Sequence, residues 1–201
     1  MRFPRPLWRM KFFLCPLLAL VSVCCAQQAA KPAPAYVDEA PLPLGWPQPG
    51  PYDKVTEKRY PASRTAMVKG DGETLTFWAL FAHLKRNDIP MTAPVEKSMV
   101  TADGKLRQES MAFLYQSGKV GSLGPDGNKV EVSDIPAIKA LSYTWQGIDS
   151  EANVAKAKTA LDRELDARKA KAKNFRMLGY NGPGTPREMR TWELQAVLSV
   201  D

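Results

Sequence analysis

The sequence predicts an α+β domain in which two helices pack on a curved, mostly antiparallel sheet. Two amphipathic helices are predicted, one from about Leu75 to Arg86 and one over about residues 150–173. Short alternating segments typical of strands precede and follow each helix. The order strand, helix, proline-containing turn, strand therefore occurs twice, which indicates a duplicated unit and the α+β class.

Residues 1–26 are predicted to be a secretory signal peptide. An acid-free basic start precedes a short apolar run at 12–26, and cleavage after Ala26 leaves small residues beside the cut. The run is too short for a comfortable membrane span, so no stable membrane insertion is expected after cleavage. The protein is then exported, to a periplasmic or extracellular location. Lipid attachment at Cys24 or Cys25 is the alternative.

Removal of this peptide changes the charge and the cysteine content. The remaining chain has 24 basic and 21 acidic residues, a net charge of +3 against +7 for the full sequence. All three cysteines are lost, so no disulfide, thiol nucleophile or thiolate metal ligand remains. So small a positive charge gives little support to nucleic-acid binding. The sequence identifies no protein partner.

Residues 27–51 are predicted to be a proline- and alanine-rich linker. Seven prolines interrupt this segment, so that neither a helix nor a strand ladder can propagate through it. A semi-extended tether is expected, and the folded domain is placed at residues 52–201.

The first unit contains strands at 54–60 and 63–70, a glycine-rich turn and the first helix. Phe77, Leu80, Phe81 and Leu84 recur at i, i+3, i+4 and i+7, which predicts one apolar helix face. Thr74 or Thr76 is the expected N-cap, and the helix should end at Asn87, Asp88 and Pro90. A hairpin is predicted around Asp103-Gly104, followed by strands at 111–116 and 129–134.

The second unit contains a long strand at 135–147 and the second helix. Asp149 and Glu151 stand at the start of that helix and three lysines at its end, signs that suit the helix dipole. A glycine–proline loop at 178–186 and a final strand at 189–200 complete the domain.

Four stretches of this sequence resemble the SOUL haem-binding protein family in order and spacing: FWALFAHLKRNDIPMTAPV, MAFLY, VEVSDIPAIKALSYTWQG and LGYNGPGTPREMRTWEL. The likeness covers about residues 52–200. It implies a pseudo-twofold, barrel-like sheet flanked by two helices. It also implies that haem or a related porphyrin binds without covalent attachment in a hydrophobic groove between the first helix and the late glycine–proline loop.

The candidate groove residues are mostly apolar. Two roles are open for Phe77, Leu80, Phe81 and Leu84, core packing and groove lining, since stripe residues can serve both. Met91 is either part of a structural corner made by Pro90 and Pro94 or a direct ligand contact. Tyr180 either closes the groove or packs inside the domain.

His83, the one histidine, is the candidate iron ligand. It lies on the flank of the apolar stripe, where it could face a groove or stand as an ordinary solvated boundary residue. Arg187 is a candidate for binding a haem propionate, as are Lys85, Arg86 and Arg190. In relatives a basic residue can occupy the position of Thr185, so Arg187 is the expected substitute.

These features favour an exported haem or tetrapyrrole carrier or buffer without turnover. No GxSxG or HExxH pattern is present, and one histidine without a cysteine leaves few acid–base arrangements. One alternative is a tetrapyrrole-modifying enzyme that demetallates or peroxidises its ligand, with His83 as its acid–base group. The other is a sensing module for a different amphipathic ligand.

Overall fold

The computed structural model describes Met1 and residues 35–199. The predicted signal peptide lies outside this part of the chain except for Met1, as do residues 27–34 of the predicted linker. Within the described residues the elements are β1 Val55–Tyr60, β2 Ser63–Lys69, α1 Glu73–Arg86, β3 Val95–Ala102, β4 Lys105–Leu114, β5 Gly124–Asp126, β6 Val130–Ile135, β7 Ile138–Gln146, α2 Glu151–Arg168, β8 Ala172–Gly179, a 3₁₀ turn Arg187–Met189 and β9 Thr191–Leu198.

The strands form one sheet in the order β1-β7-β9-β8-β3-β4-β2-β6-β5, and all neighbouring strands pair antiparallel. The sheet is open and curved, with β1 and β5 at its edges. This architecture confirms the predicted α+β class. The predicted hairpin is also confirmed: Asp103 and Gly104 join β3 to β4, with φ values of 51° and 72°.

The duplication is visible in the sheet order. Strands β2, β4 and β3 repeat the arrangement of β7, β9 and β8, and the two halves meet where β3 pairs with β8. Each half lends its first strand to the other: β1 pairs with β7, and β6 pairs with β2. The predicted duplication is therefore confirmed, but each unit has two strands before its helix and two after it, and the units exchange their first strands.

Both helices cover the same face of the sheet. Helix α1 contacts β2, β4 and β6, whereas α2 contacts β7, β9 and β1. Leu80 and Leu84 of α1 anchor the first core cluster, and Leu161 of α2 anchors the second. Lys97 and Met177, which pair across β3 and β8, both point to this helix-bearing face. The opposite face, which we call the helix-free face, carries a third cluster around Tyr60 and Tyr180.

Helix α1 begins one turn before its apolar stripe. Gly72 is the N-cap residue and supplies no side chain, while the Thr76 hydroxyl donates to the carbonyls of Gly72 and Glu73 at 3.0 and 3.1 Å. The expected cap at Thr74 or Thr76 is therefore wrong, because the glycine-rich turn lets the helix start earlier and places Thr76 inside its first turn. The predicted end is confirmed, with Asn87 at the C-cap.

Helix α2 is shorter than predicted. Its start is capped by the Ser150 hydroxyl, which accepts a hydrogen bond from the Asn153 amide at 3.3 Å. Lys169 adopts the left-handed conformation and ends the helix after Arg168. Residues 172–179 then form β8, a strand that the sequence did not reveal and that pairs with both β3 and β9.

Residues 35–51, which we call the strap, contain no helix or strand but pack on the domain. Strap residues Tyr36, Leu42 and Trp46 join the cluster on the helix-free face. The Leu44 amide donates to the Gln116 carbonyl at 2.9 Å, and the Ala93 amide donates to the Pro41 carbonyl at 3.0 Å. The packed part of the chain thus extends further toward the N terminus than the expected boundary at residue 52.

No helix in the described part of the chain is long and apolar enough to cross a membrane.

Candidate functional site

One flank of α1 carries three aromatic rings at the surface. The rings of Phe77 and Phe81 are stacked, with centroids 6.1 Å apart and an interplanar angle of 11°. The Trp78 ring stands edge-on to both, at 5.7 and 5.6 Å, and is 59% exposed. Phe77 and Phe81 are half-buried against the first core cluster. We call these three residues the aromatic flank.

The surroundings of the aromatic flank are apolar below and cationic above. Met91 and Val95 are half-buried and pack against the same cluster as Phe77 and Phe81. The Lys85 ammonium lies 5.6 Å from the centre of the Phe81 ring and is exposed to solvent. A flat apolar group on this flank would have a positive charge within reach, as a macrocycle with carboxylate substituents requires.

The structure divides the predicted apolar stripe into two sets. Leu80 and Leu84 are 0% and 2% exposed, so they belong to the core and have no surface for a ligand. Phe77, Phe81 and Met91 retain exposed surface. The centre of the predicted apolar stripe therefore packs in the core. One side of the stripe keeps exposed surface that a ligand could contact.

His83 lies on the other flank of α1 and is 3% exposed. Its Nδ1 is hydrogen-bonded to the Asp126 carboxylate of β5, and its Nε2 lies 2.6 Å from the Tyr115 hydroxyl. Both ring nitrogens are thus engaged within the domain. An iron ligand needs a free imidazole nitrogen, so this arrangement gives no support to the expectation that His83 ligates iron.

Asp126 holds this histidine together with two neighbours on α1. Its carboxylate accepts hydrogen bonds from Arg86 at 2.6 Å and from the Asn87 side chain at 3.0 Å. The hydrogen bond from His83 is the leading cause that lowers the pKa of Asp126 from 3.8 to about 2, and Arg86 adds to it. Arg86, a candidate for the propionate role, is therefore engaged in fastening β5 to α1.

The late loop, residues 180–190 between β8 and β9, begins beside the start of β3, where Gly179 pairs with Val95. Tyr180 is 2% exposed and its hydroxyl donates to Glu193 at 3.1 Å, so it is a packed residue and not a cover for a groove. Arg187 is exposed at the start of the 3₁₀ turn. Arg190 donates through Nε to the Thr185 carbonyl at 3.0 Å.

Among the surface cavities in the described part of the chain, two lie beside the helices, and neither includes a residue of the aromatic flank or of the late loop. A cavity of about 740 Å³ lies between the start of α1 and the β5–β6 hairpin, with Lys69, Leu75 and Lys129 among its lining residues. A second, of about 580 Å³, lies between the β3–β4 hairpin and α2 and includes Lys97 and Lys158. The expected crevice that α1 and the late loop would share does not appear as either cavity.

Among the described residues Glu193 of β9 accepts more side-chain hydrogen bonds than any other, and no pattern in the sequence indicates this role. It is 0% exposed on the helix-free face. Its Oε2 accepts hydrogen bonds from Lys58 at 2.9 Å and from the Tyr180 and Thr144 hydroxyls at 3.1 and 3.3 Å. Its Oε1 accepts from three further donors, those of Tyr60, Ser142 and Gln195.

The charge of Glu193 is retained despite burial. Burial by itself would raise the pKa of this carboxyl, but the Lys58 ammonium and the surrounding hydroxyl donors outweigh it and hold the pKa below its usual range. Alternation along β9 predicts only that one face of the strand is buried, so the partners could not be read from the sequence. The described residues contain no group of three or more acidic, histidine or cysteine side chains arranged to hold a metal ion.

Comparison with protein families identifies one match. The model of the SOUL heme-binding protein family matches residues 50–196, which is most of the chain. A comparison with curated proteins finds no match.

Solved structures share the fold at low sequence identity. The C-terminal domain of EcmrR superposes with a TM-score of 0.53 at 16% identity, over 73% of this chain and 97% of that one. A hydrolase from Listeria innocua superposes with a TM-score of 0.53 at 15% identity, over 75% of this chain and 94% of that one. At such identities the likeness establishes the fold alone.

Proposed function

The chain belongs to the SOUL haem-binding protein family, and from this membership we propose that it is an exported protein that binds haem or a related tetrapyrrole reversibly on the aromatic flank of α1. Its role is that of a carrier or buffer without turnover. The basic, acid-free start and apolar run of residues 1–26 support export.

The aromatic flank is the observation that carries the proposal. Phe77 and Phe81 are stacked at 6.1 Å beside Trp78, which keeps 59% of its surface exposed. A cluster of aromatic rings left at the surface commonly marks a ligand site. The flat faces and edges of these rings suit a planar macrocycle, and Lys85 is placed to pair with one of its carboxylates.

Binding by this flank depends on apolar contact and charge, not on His83. Because both nitrogens of His83 are hydrogen-bonded to Asp126 and Tyr115, the chain would hold the macrocycle by burial against Phe77, Phe81 and Met91. The tetrapyrrole supplies any redox or metal chemistry, while the protein supplies a surface that orients the ring and limits its exposure to water.

Haemin titration followed by absorbance tests the proposal. The mature protein is expected to give a Soret band that saturates at about one equivalent. Phe81→Leu should weaken binding by about threefold to tenfold, because aromatic contacts contribute about 0.5–1.5 kcal/mol beyond the area they bury. Leucine keeps most of the packing below the ring.

The matched control is Leu75→Ala, which removes an exposed apolar side chain from the other side of α1 and should leave haemin affinity unchanged. A titration indistinguishable from that of free haemin would refute tetrapyrrole binding. Equal weakening in both variants, or in neither, would remove the aromatic flank as the site.

A further inference from the structure

The late loop binds a carboxylate that the strap supplies. Oε2 of Glu39 accepts hydrogen bonds from the Gly182 backbone amide at 2.7 Å and from the Thr185 hydroxyl at 2.8 Å. The Thr185 hydroxyl is the leading cause that lowers the pKa of Glu39. Arg190, bonded to the Thr185 carbonyl, adds positive charge nearby. We call the Gly182 amide and the Thr185 hydroxyl the carboxylate notch.

The strap also supplies an aromatic ring to the helix-free face. The Trp46 ring lies 4.8 Å from the Tyr60 ring, measured between centroids. The Arg176 guanidinium lies 5.6 Å from the Trp46 ring and 5.0 Å from the Tyr60 ring. Tyr36 packs edge-on against Tyr180 at 5.8 Å. The domain thus provides an arginine and two tyrosines as a shelf, and the strap covers it.

The strap, packed on the shelf, leaves buried polar atoms without hydrogen-bond partners. Four buried side-chain atoms in the described chain have no hydrogen-bond partner, and three of them belong to residues of this contact: the Tyr36 hydroxyl, Trp46 Nε1 and Arg176 Nη2. Trp46 and Arg176 are 6% and 5% exposed. Buried polar groups are nearly always paired, and an unpaired group disfavours the closed state. The strap therefore fits the shelf less well than a ligand with suitable polar atoms would.

Charge selects the kind of ligand. With Glu39 withdrawn, the late loop carries Arg187 and Arg190 against the single acid Glu188. On the shelf, Arg176 is paired with Glu96 at 2.8 Å through one nitrogen and retains Nη2 for another acceptor. A group that replaces the strap here must be anionic where Glu39 lies and flat where Trp46 lies.

We propose that the strap is a displaceable internal occupant of a second binding site, whose external ligand is a flat aromatic molecule bearing a carboxylate. The ligand's carboxylate takes the place of Glu39 in the carboxylate notch, and its ring takes the place of the Trp46 indole over Arg176 and Tyr60. The site lies on the face of the sheet opposite the aromatic flank, so it does not depend on the function proposed above.

Fluorescence titration of the mature protein with 1-pyrenebutyrate tests this site. Glu39→Gln keeps the size of the side chain but removes its charge, which loosens the strap. Because closure of the strap reduces the apparent affinity for the probe, Glu39→Gln should bind it about tenfold more tightly than the unaltered protein. Asp38→Asn makes the same charge change one residue earlier and should leave the affinity unchanged.

The role of the carboxylate is tested with 1-pyrenebutanol, which has the same ring without the charge. In the Glu39→Gln background the butyrate should bind about tenfold more tightly than the alcohol, since its carboxylate alone accepts charge-assisted hydrogen bonds from the carboxylate notch. Adding Thr185→Val should abolish most of that preference.

Hydrogen exchange gives a direct readout of the strap. Saturating 1-pyrenebutyrate should speed exchange at the Leu44 and Ala93 amides, whose partners are Gln116 and Pro41. Unchanged protection at saturation, equal affinity of Glu39→Gln and the unaltered protein, or no binding to either would overturn the proposal. Phe81→Leu should leave this binding unaffected while it weakens haemin binding, so each proposal can fail without the other.

Discussion

Asp126 is the residue through which the β5 strand is fastened to α1. Its carboxylate accepts hydrogen bonds from the side chains of His83, Arg86 and Asn87. These bonds are stronger with the ionised carboxylate than with the protonated acid, and the pKa of Asp126 is accordingly lowered from 3.8 to about 2, first by His83 and then by Arg86. The contact should therefore be sensitive to acid.

A pH dependence follows from the direction of this shift. A carboxyl whose pKa is lower in the folded than in the unfolded chain stabilises the fold above its unfolded pKa and loses that contribution as the pH falls. Asp126→Asn should thus be less stable than the unaltered protein at pH 6, and the difference should shrink from about pH 4 to about pH 2. Urea unfolding at a series of pH values measures it.

The control for Asp126 is Asp88→Asn, which alters an exposed aspartate just beyond α1. Asp88→Asn should leave the unfolding free energy within about 0.5 kcal/mol of that of the unaltered protein at pH 6. A difference for Asp126→Asn that stays constant down to pH 2 would show that the carboxylate contributes nothing as an anion.

At the scale of single residues the sequence predicts position better than partners. The helical spacing placed His83 beside the apolar stripe, which is where it lies. Its hydrogen bond to Asp126 was not predictable, because Asp126 lies between the strands predicted at 111–116 and 129–134, far from His83 in the chain. The same limit applies to Leu80 and Phe81: both lie on the stripe, and only the packed strands beneath decide which of them retains exposed surface.

The end of α2 is set by one residue in an unusual conformation. Lys169 has φ 53° and ψ 32°, and its amide donates to the Asp166 carbonyl at 3.1 Å. The Ala170 amide donates to the Leu165 carbonyl at 3.0 Å, which completes a Schellman-type ending. Glycine is the usual residue at this left-handed position because a side chain there is strained.

Lys169→Gly should therefore stabilise the protein by about 1 kcal/mol, through relief of the left-handed strain. Thermal or urea unfolding measures the change. Lys169→Ala removes the same charge and keeps a Cβ atom, so it should give little or no gain. If glycine and alanine had the same effect, the stabilisation would come from the lost charge and not from the backbone.

At the scale of elements, local signals located the end of α1, the start of α2 and the β3–β4 turn, and non-local pairing decided the rest. Residues 169–173 alternate lysine with alanine, a composition that favours helix. Residues 172–179 nevertheless form a strand, because they pair on one side with β3 and on the other with β9. The prolines of the strap correctly exclude regular structure, but its packing depends on Tyr60 and Tyr180 far along the chain.

At the scale of the whole molecule, the repeat in the sequence corresponds to a repeat in the sheet. The sequence predicted two similar units, because the spacing of its apolar residues changes twice from the alternation of a strand to the period of a helix. The exchange of β1 and β6 between the units was not predictable, because nothing local to either strand specifies its partner. Glu193 lies within the unit that receives β1.

Glu193 connects parts of the molecule that are distant in sequence. Its partners are Lys58 and Tyr60 of β1, Ser142 and Thr144 of β7, Tyr180 of the late loop and Gln195 of β9. All of these donors use the same buried carboxylate as their hydrogen-bond acceptor. Removing its charge leaves the ammonium of Lys58, whose side chain is 9% exposed, without its counter-ion.

Glu193→Gln should consequently destabilise the whole domain, by about 3 kcal/mol or more, the usual consequence of breaking a buried ion pair. The urea midpoint should fall while the dependence of the unfolding free energy on urea stays the same, since the loss affects one cooperative fold. Glu131→Gln, on the exposed side of β6, should change stability by less than about 0.5 kcal/mol.

Adding Lys58→Met to Glu193→Gln should restore part of the loss, because it removes the unpaired charge. A double variant less stable than Glu193→Gln alone would mean that Lys58 is held by its other contacts and that the ion pair does not join β1 to β9.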